Sequence, residues 1–575
     1  MTGPGHYLVV TGQAGFGRSS FLLVLMLAAL TLMAARAFFL QVVDAPFLRH
    51  EARRQAIETV QQEGHRGMIV DRHGQPLAIS TPVDSLWANP QILLKESAVW
   101  PRLAHAIGWR TATLRSALAA QRHEQFMYLR RQVNPRYAAR ILDLHIPGVA
   151  SQREYRRYYP AGAVAATLIG FTNINDQGQD GVELAYNALL SPRRGRAVVI
   201  RDGLGEPIAV RRGRRPPRPG HTLVLSIDER IQYLAYRQLL KAVRYHDASS
   251  GSIIVLDARS GQVLALANVP SFNPNTRSDL NSSYYRDRAV TDVIEPGSSL
   301  KPFTIALALQ SGRIVPHTLV STSPGSYWVG PDRISDVANF GLIDVSHIIA
   351  ESSNVGASKI ALTTLTRQAM YRNFLRLGFT RSTKSGLPGE SSGFLSPPNT
   401  WEPIQKATLA FGYGISVTPM QMARAYTVFA DGGLLKTLSI LKSAAPTPSG
   451  RRVFSPHVVR DMRHMLELAA SPAGTGATAD VVNYRVAGKT GTAHIADLKG
   501  YHKHSYVASF GGYAPASDPR LVIFVDIRDP RKHGYYGAEC AAPVFRKVMT
   551  GALRILNIPP DDPVTTMARA HTRWP

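Results

Sequence analysis

Glu295-Pro296-Gly297-Ser298-Ser299-Leu300-Lys301-Pro302 is the stretch around which the rest of the chain can be read. A Pro-Gly turn delivers a serine to the start of an apolar run through Phe303, Ile305, Leu307 and Leu309, with a lysine three residues after the serine. Residues at i and i+3 share a helix face, which brings the Ser298 hydroxyl and the Lys301 amine within hydrogen-bond reach. The positive end of a helix disfavours a protonated lysine, and burial depresses its pKa further, leaving neutral amine to take the serine proton. Ser-x-x-Lys alone is a weak signal, because an exposed helix can carry it by chance. Pro302 is tolerable only near a first helical turn, where a missing N–H costs little.

Two further motifs give the pair its weight. Ser352-Ser353-Asn354 and Lys489-Thr490-Gly491-Thr492 follow in that order, and Ser-x-x-Lys, Ser-x-Asn, Lys-Thr-Gly is the signature of penicillin-binding proteins and serine β-lactamases. Ser298 is expected to attack an acyl carbonyl while Lys301 removes its proton. Ser352 is expected to relay that proton to the departing amine, and Asn354 to orient Lys301 and a substrate amide. Lys489, after the apolar strand Val486-Ala487-Gly488, suits a substrate carboxylate. Thr490, Gly491 and Thr492 complete the substrate-binding strand: Gly491 is expected to leave room for the acyl chain and the Thr492 hydroxyl to add a bond to the carboxylate. The backbone N–H groups of Ser298 and Thr492 are the natural oxyanion hole.

A chain of 575 residues predicts several domains. Its net charge of +26, supplied largely by arginine, fits nucleic acid, an anionic membrane surface, an anionic polymer or simply a solvated basic surface. The single cysteine, Cys540, excludes an intramolecular disulfide and a cysteine zinc cluster, and is compatible with export. His494, His502, His504 and His533 raise the question of a metal. No carboxylate at ligand spacing accompanies them, so they read as surface loop histidines, with no metal or other cofactor expected.

Gly12-Gln13-Ala14-Gly15-Phe16-Gly17-Arg18-Ser19 approximates a phosphate-binding loop but lacks its lysine. The next segment, Phe21 to Val43, is almost wholly apolar and long enough to span a bilayer. It predicts a single transmembrane helix (21–43) after a cytoplasmic leader (1–20). A cleaved signal peptide is the alternative, because Ala35-Arg36-Ala37 resembles a cleavage site. Charge leaves the orientation open, with Arg18 on one side and Arg49, Arg53 and Arg54 on the other.

Residues 44–220 mix short strands and turns. Arg66 to Ala78 alternates like a hairpin turning at His73-Gly74, and Ala98 to Leu144 is helical in period. Arginines crowd between Arg193 and Arg218, and the Arg-Pro-Pro-Arg-Pro-Gly end reads as a linker; the aromatic residues a nucleic-acid arm needs are missing. Beyond it, Ile227 to Val243 predicts an amphipathic helix, and Ser252–Asp257 and Gln262–Ala267 two strands joined at Ser260-Gly261. Helices around Ser298 enclosed by strands that resume after Tyr484 predict an α+β sandwich whose N- and C-terminal strands share one antiparallel sheet, over 221–558, with a loose tail at 559–575.

With these motifs in view, the chain resembles the class B penicillin-binding proteins, and among them the division-specific, FtsI-type peptidoglycan D,D-transpeptidases. The likeness includes Arg66 to Arg72, Arg156 to Pro160, Leu168 to Asn173, Gly181 to Glu183, Glu295 to Pro302, Ser352 to Gly356, Phe411 to Gly414, Val417 to Pro419 and Tyr535 to Gly537. The resemblance implies a cytoplasmic N-terminus, an inner-membrane anchor, an elongated non-catalytic pedestal (44–220, of the dimerisation type) and a periplasmic penicillin-binding domain. It further implies transfer of D-Ala-D-Ala stem peptides to a neighbouring strand, acylation by β-lactams, and work with an FtsW-type glycosyltransferase and other divisome proteins. A hydrolase (D,D-carboxypeptidase or β-lactamase), a β-lactam sensor and an elongation-type transpeptidase are the competing readings.

Overall fold

The structure is a computed structural model that describes residues 17–47, 57–62, 64–201, 207–276, 282–443, 450–497 and 500–562. The phosphate-loop-like stretch, apart from its last residues, and the tail from 563 on lie outside the described residues. The chain falls into two compact units, Met1–Gly64 with Arg193–Arg218, and His65–Pro192 with Pro219–Pro575.

In the first unit, a helix over Arg18–Phe38 continues as a π-helical turn, Phe39–Val43. Within it Ser20–Val43 is long and apolar enough to cross a membrane, and none of it is covered by protein. The same unit holds a three-stranded antiparallel sheet with Gly195–Arg201 between Ile57–Gln62 and Pro207–Arg215. The arginine-rich run is therefore mostly strand. Val198, Val199 and Ile200 face Ala209 to Arg211 in register, and such β-branched residues favour the pleated backbone.

In the second unit, the strand Pro76–Ala88 is the spine of residues 65–192, pairing antiparallel with Met127–Val133 and Val149–Tyr158. The hairpin read at Arg66–Ala78 is present: Ile69–Val70 pairs with this strand across Gly74, whose φ of +87° suits glycine. The segment expected to be helical throughout contains helices Trp100–Ile107, Thr111–Ala120 and Pro135–Leu142, but Met127–Val133 is a strand. There Met127 and Leu129 are buried while Arg130 is exposed, a period-two pattern that the flanking helices mask.

Three of the quoted motifs meet in one place. Arg66 Nε and Arg157 Nε each donate to a different oxygen of Glu183 at 2.6 Å, with all three side chains fully buried. Arg66 also donates to Asn187 Oδ1 at 2.8 Å and to the Asp176 carbonyl at 3.0 Å. A few residues on, Asp71 accepts from the Glu229 N–H at 3.2 Å and Asp228 from His73, which ties this hairpin to the first helix of the catalytic region.

That region is a helix–sheet–helix sandwich. β1 (Ser250–Asp257), β2 (Val263–Val269), β3 (Ala487–Asp497), β4 (Gly500–Ala514) and β5 (Leu521–Arg528) form one antiparallel sheet in the order β2-β1-β5-β4-β3. Strands from both ends of the region thus share it, as the sequence predicts. Successive residues face opposite layers. Ile253, Val255, Ile523 and Val525 pack with helices α1 (Glu229–Tyr245) and α6 (Ala542–Ile555). Ile254, Leu256, Val522 and Phe524 pack with α2 (Lys301–Gln310), α4 (Pro419–Ala430) and α5 (Pro456–Ala470). Both faces are apolar, so the central strands read as unbroken hydrophobic runs. α3 (Asn354–Thr364) completes the helical layer, and β3 is the sheet edge nearest α2.

Candidate active site

Ser298 sits in a 3₁₀ turn, Gly297–Leu300, that runs directly into α2, so Lys301 is the first residue of the α-helix. Pro302 occupies its first turn, where no intrahelical N–H is lost. Gly297 has φ +53°, and a Cβ there would lie 2.9 Å from the Thr492 carbonyl oxygen. Only glycine lets the turn that carries Ser298 approach β3 this closely.

The Lys301 amine lies 2.9 Å from Ser298 Oγ, 3.1 Å from Ser352 Oγ and 2.7 Å from Asn354 Oδ1, and donates to the Ser352 carbonyl. Its residue is completely buried. Burial, and secondarily the charge of Lys489, holds its pKa well below the usual lysine value, against a weaker pull from Asp336. The expected contact between Ser298 and Lys301 is thus present, with desolvation as the main cause of the shift.

The Ser-x-Asn motif is shaped by its backbone. Ser352 has φ +62°, a left-handed conformation that turns both its carbonyl and its hydroxyl toward Lys301. Ser353 caps α3, accepting from the Gly356 N–H at 2.9 Å. Asp336 accepts from Ser353 Oγ at 2.6 Å and from the N–H groups of Asn354 and Val355 at 2.5 and 3.0 Å. The sequence reading missed Asp336. It lies in an irregular stretch with no motif, and only its contacts reveal that it holds Asn354 in place.

Lys489 is also fully buried, and burial lowers its pKa to about 7, opposed by the carboxylate of Glu351. Its amine donates to Thr475 Oγ1 at 3.0 Å and Thr490 Oγ1 at 3.1 Å. Those two threonines line the cleft in front of it, so its charge reaches the cleft through their hydroxyls. Thr475 was not foreseen, since a lone threonine on a loop carries no pattern.

Gly491 differs from its expected role. A Cβ there would lie 2.3 Å from Ser509 Oγ, 2.8 Å from the Pro296 carbonyl and 3.1 Å from Ser299 Cβ. The glycine serves the packing of β3 against the nucleophile's turn, and its missing side chain does not face the cleft. The Thr492 hydroxyl accepts from the Gly537 N–H at 3.1 Å and keeps its own proton to donate.

These groups open on a cleft of about 540 Å³ whose walls include Ser298, Ser352, Asn354, Thr490 and Thr492. Part of its wall is aromatic, with Tyr506 and Tyr535 stacked at 4.2 Å and Tyr535 and Tyr536 at 4.4 Å. His494, expected on a surface loop, lies on β3 and lines this wall, with its ring 4.6 Å from Tyr506. His502 and His504 are likewise on a strand, β4, rather than in loops. The run after Thr492, Ala493-His494-Ile495-Ala496-Asp497, is short and carries a histidine and an aspartate, and its hydrogen bonds to β4 make it strand.

A serine whose oxygen is bonded to a buried lysine, flanked by a second hydroxyl, an amide and a cationic sheet edge, is the arrangement of a serine acyltransferase. Residues 251–550 match the penicillin binding protein transpeptidase domain and residues 61–225 the penicillin-binding protein dimerisation domain. The chain is 40% identical over 540 residues to the peptidoglycan D,D-transpeptidase FtsI of Escherichia coli, covering 93% of this chain and 91% of that one. It is 38% identical over 556 residues to the probable peptidoglycan D,D-transpeptidase PenA of Neisseria gonorrhoeae, covering 96% and 95%. Among solved structures, the transpeptidase domain of Burkholderia pseudomallei penicillin-binding protein 3 matches 59% of this chain and 98% of its own, at 41% identity and a TM-score of 0.55. A peptidoglycan synthetase of Bifidobacterium adolescentis matches 88% and 98% at 25% identity and a TM-score of 0.70. The chain belongs to the penicillin-binding transpeptidases, and its relatives place it with the FtsI-type enzymes.

Proposed function

We propose that this chain is a membrane-anchored serine D,D-transpeptidase that cross-links peptidoglycan stem peptides at the division septum. The observation that carries the reading is the Lys301 amine, buried and 2.9 Å from Ser298 Oγ, with Ser352 and Asn354 in the same contact shell.

The geometry supports the following course. Neutral Lys301 accepts the Ser298 proton as Oγ attacks the carbonyl of the penultimate D-alanine, and the N–H groups of Ser298 and Thr492 receive the oxyanion. The C–N bond to the terminal D-alanine breaks, and the proton on Lys301 passes through Ser352 Oγ to the departing amine. An amine from a second stem peptide then attacks the Ser298 ester, and the same groups return Ser298 to its hydroxyl form. Lys489, through Thr475 and Thr490, holds the donor's terminal carboxylate, with Thr492 adding a bond. A β-lactam follows the first step, but its leaving nitrogen stays tethered to the acyl group.

In this reading the apolar helix is retained as an inner-membrane anchor with its N-terminus in the cytoplasm and the catalytic region in the periplasm. Residues 44–220 serve as the pedestal and 221–558 as the catalytic domain. An FtsW-type glycosyltransferase and other divisome proteins are its partners.

Full-length protein in detergent should form a long-lived adduct with a fluorescent penicillin that Ser298→Ala abolishes. An adduct that survives the substitution would remove Ser298 as nucleophile, and rapid release of hydrolysed penicillin would favour a hydrolase. Depletion in cells should give filaments with blocked septa, whereas rounded cells would assign the enzyme to elongation.

A further inference from the structure

The reaction proposed above brings two charges into the Ser298 cleft: the donor ends in a carboxylate, and the second stem peptide arrives as an ammonium. Lys489, with Thr475 and Thr490, answers the first. Among the described residues, two carboxylates line the same cleft, those of Glu351 and Glu539. Glu539 is spent on backbone, its Oε2 accepting from the N–H groups of Tyr535 and Tyr536 at 3.0 and 3.1 Å. Glu351 is half-buried, and its carboxylate makes no hydrogen bond or ion pair among the described residues.

The backbone fixes where that carboxylate stands. The Glu351 N–H donates to the His347 carbonyl at 2.8 Å and the Ser353 N–H to the Ile348 carbonyl at 3.0 Å, which anchors the turn that leads from the helix Val345–Ala350 into Ser352. On one side of Glu351, the Ala350 carbonyl accepts from the Thr475 N–H at 3.1 Å, and Thr475 Oγ1 is a partner of the Lys489 amine. On the other side, Ser352 Oγ lies 3.1 Å from the Lys301 amine. Glu351 thus stands in the cleft wall between the group for the donor's carboxylate and the hydroxyl that serves the departing amine. Its charge is felt at Lys489, yet the Lys489 amine is turned to the two threonines, so the carboxylate is left for another cation.

The incoming amine attacks the carbonyl carbon that the first amine left and uses the same hydroxyl, so it enters the place that the terminal D-alanine vacated. We infer that Glu351 is the residue that selects the acceptor: its carboxylate binds the ammonium of the incoming stem peptide beside Ser352. The inference rests on the transpeptidase reading. An ammonium has three donors, enough to hold a carboxylate and the Ser352 hydroxyl together. It gives one proton to water before it attacks. As the new C–N bond forms and the ester C–O bond breaks, a second proton passes through Ser352 to the Ser298 oxygen. A hydrolase has no use for such a carboxylate, since water brings no charge.

The test forms the acyl-enzyme on full-length protein in detergent from a thioester of acetyl-D-alanine and follows, at about pH 7, its partition between water and an added amine. D-Alanine amide is largely an ammonium at that pH and has no carboxylate, so Lys489 does not enter the comparison; hydroxylamine is uncharged. In Glu351→Gln the transfer-to-hydrolysis ratio for D-alanine amide should fall about tenfold or more relative to the ratio for hydroxylamine, as loss of a charged hydrogen-bond partner does. Both ratios are read on the same acyl-enzyme, so differences in folding or acylation rate cancel. Glu351→Asp, which keeps the charge, should retain more of the transfer than Glu351→Gln. An unchanged D-alanine amide ratio in Glu351→Gln, an equal fall with the two amines, or an aspartate variant as impaired as the glutamine one would each overturn the assignment. A wild-type enzyme that hydrolyses the thioester and transfers to neither amine would remove the transpeptidase reading itself, and the inference with it.

Discussion

Two of the regions where basic side chains are buried handle that burial in opposite ways. Around Glu183, two guanidinium groups at 0% side-chain exposure share a single carboxylate, each at 2.6 Å. Around Ser298, two lysines are equally buried, yet neither makes an ion pair among the described residues, and their partners are hydroxyls, a carbonyl and an amide. Arginine keeps its proton under burial and so must be matched by an acid, whereas lysine can give its proton up. The paired site therefore holds the fold together, and the unpaired site leaves an amine that gives up its proton more readily than usual. A buried cation without a carboxylate is the more informative feature of an uncharacterised chain.

The comparison can be broken most directly at Lys301. Lys301→Met should lower the rate of penicillin acylation by about 10²- to 10⁴-fold, the usual worth of a general base. A variant that still acylates at the wild-type rate would show that the amine is not the base. The next effect in size belongs to the paired region. Glu183→Gln leaves two buried guanidinium groups uncompensated and should destabilise the fold by about 3–5 kcal/mol, read from chemical denaturation. It should act on stability first, with acylation by the folded fraction unchanged. A small loss, near that of an exposed ion pair, would mean that water reaches the triad.

The smallest effect sharpens the distinction between the two lysines. Lys489 carries its charge below about pH 7 and loses it above. The carboxylate of the substrate needs that charge, so KM for a stem-peptide donor should rise as pH climbs from 7 to 9, by at most about tenfold per unit. Lys301 must be neutral to act, and its pKa lies well below the normal lysine value. Acylation at saturating substrate should therefore not fall across that range. A kcat that falls over the same pH span would assign the titration to the wrong lysine.

The meeting of Ser298, the two lysines, Ser352 and Asn354 around one cleft was legible because each belongs to a short motif whose spacing survives without a structure. The sandwich was legible for a related reason: strands buried on both faces leave continuous runs such as Ile253 to Leu256 and Val522 to Val525. What stayed hidden depends on contacts between distant segments. Asp336 and Thr475 act through hydrogen bonds to residues 14 to 19 positions away or farther round the fold, with no local pattern to mark them. Gly491 was visible as a glycine, but its purpose was not, because the groups that exclude a side chain come from Pro296, Ser299 and Ser509. The Arg66–Glu183–Arg157 triad falls between these cases. Its three motifs were recognisable as strings, and only folding showed them to be one object.

The position of β3 at the end of its sheet has a further consequence. An edge strand offers a row of amide groups to any extended chain laid beside it. A peptide docked in that way is measured by its own amides, at about 3.4 Å per residue, and its side chains enter the reckoning only where a wall meets them. Adding or removing one residue slides the target carbonyl past Ser298, while exchanging one side chain for another leaves it in place. In the proposed reaction the sheet edge is thus a ruler, and the aromatic wall beside it is where tolerance ends.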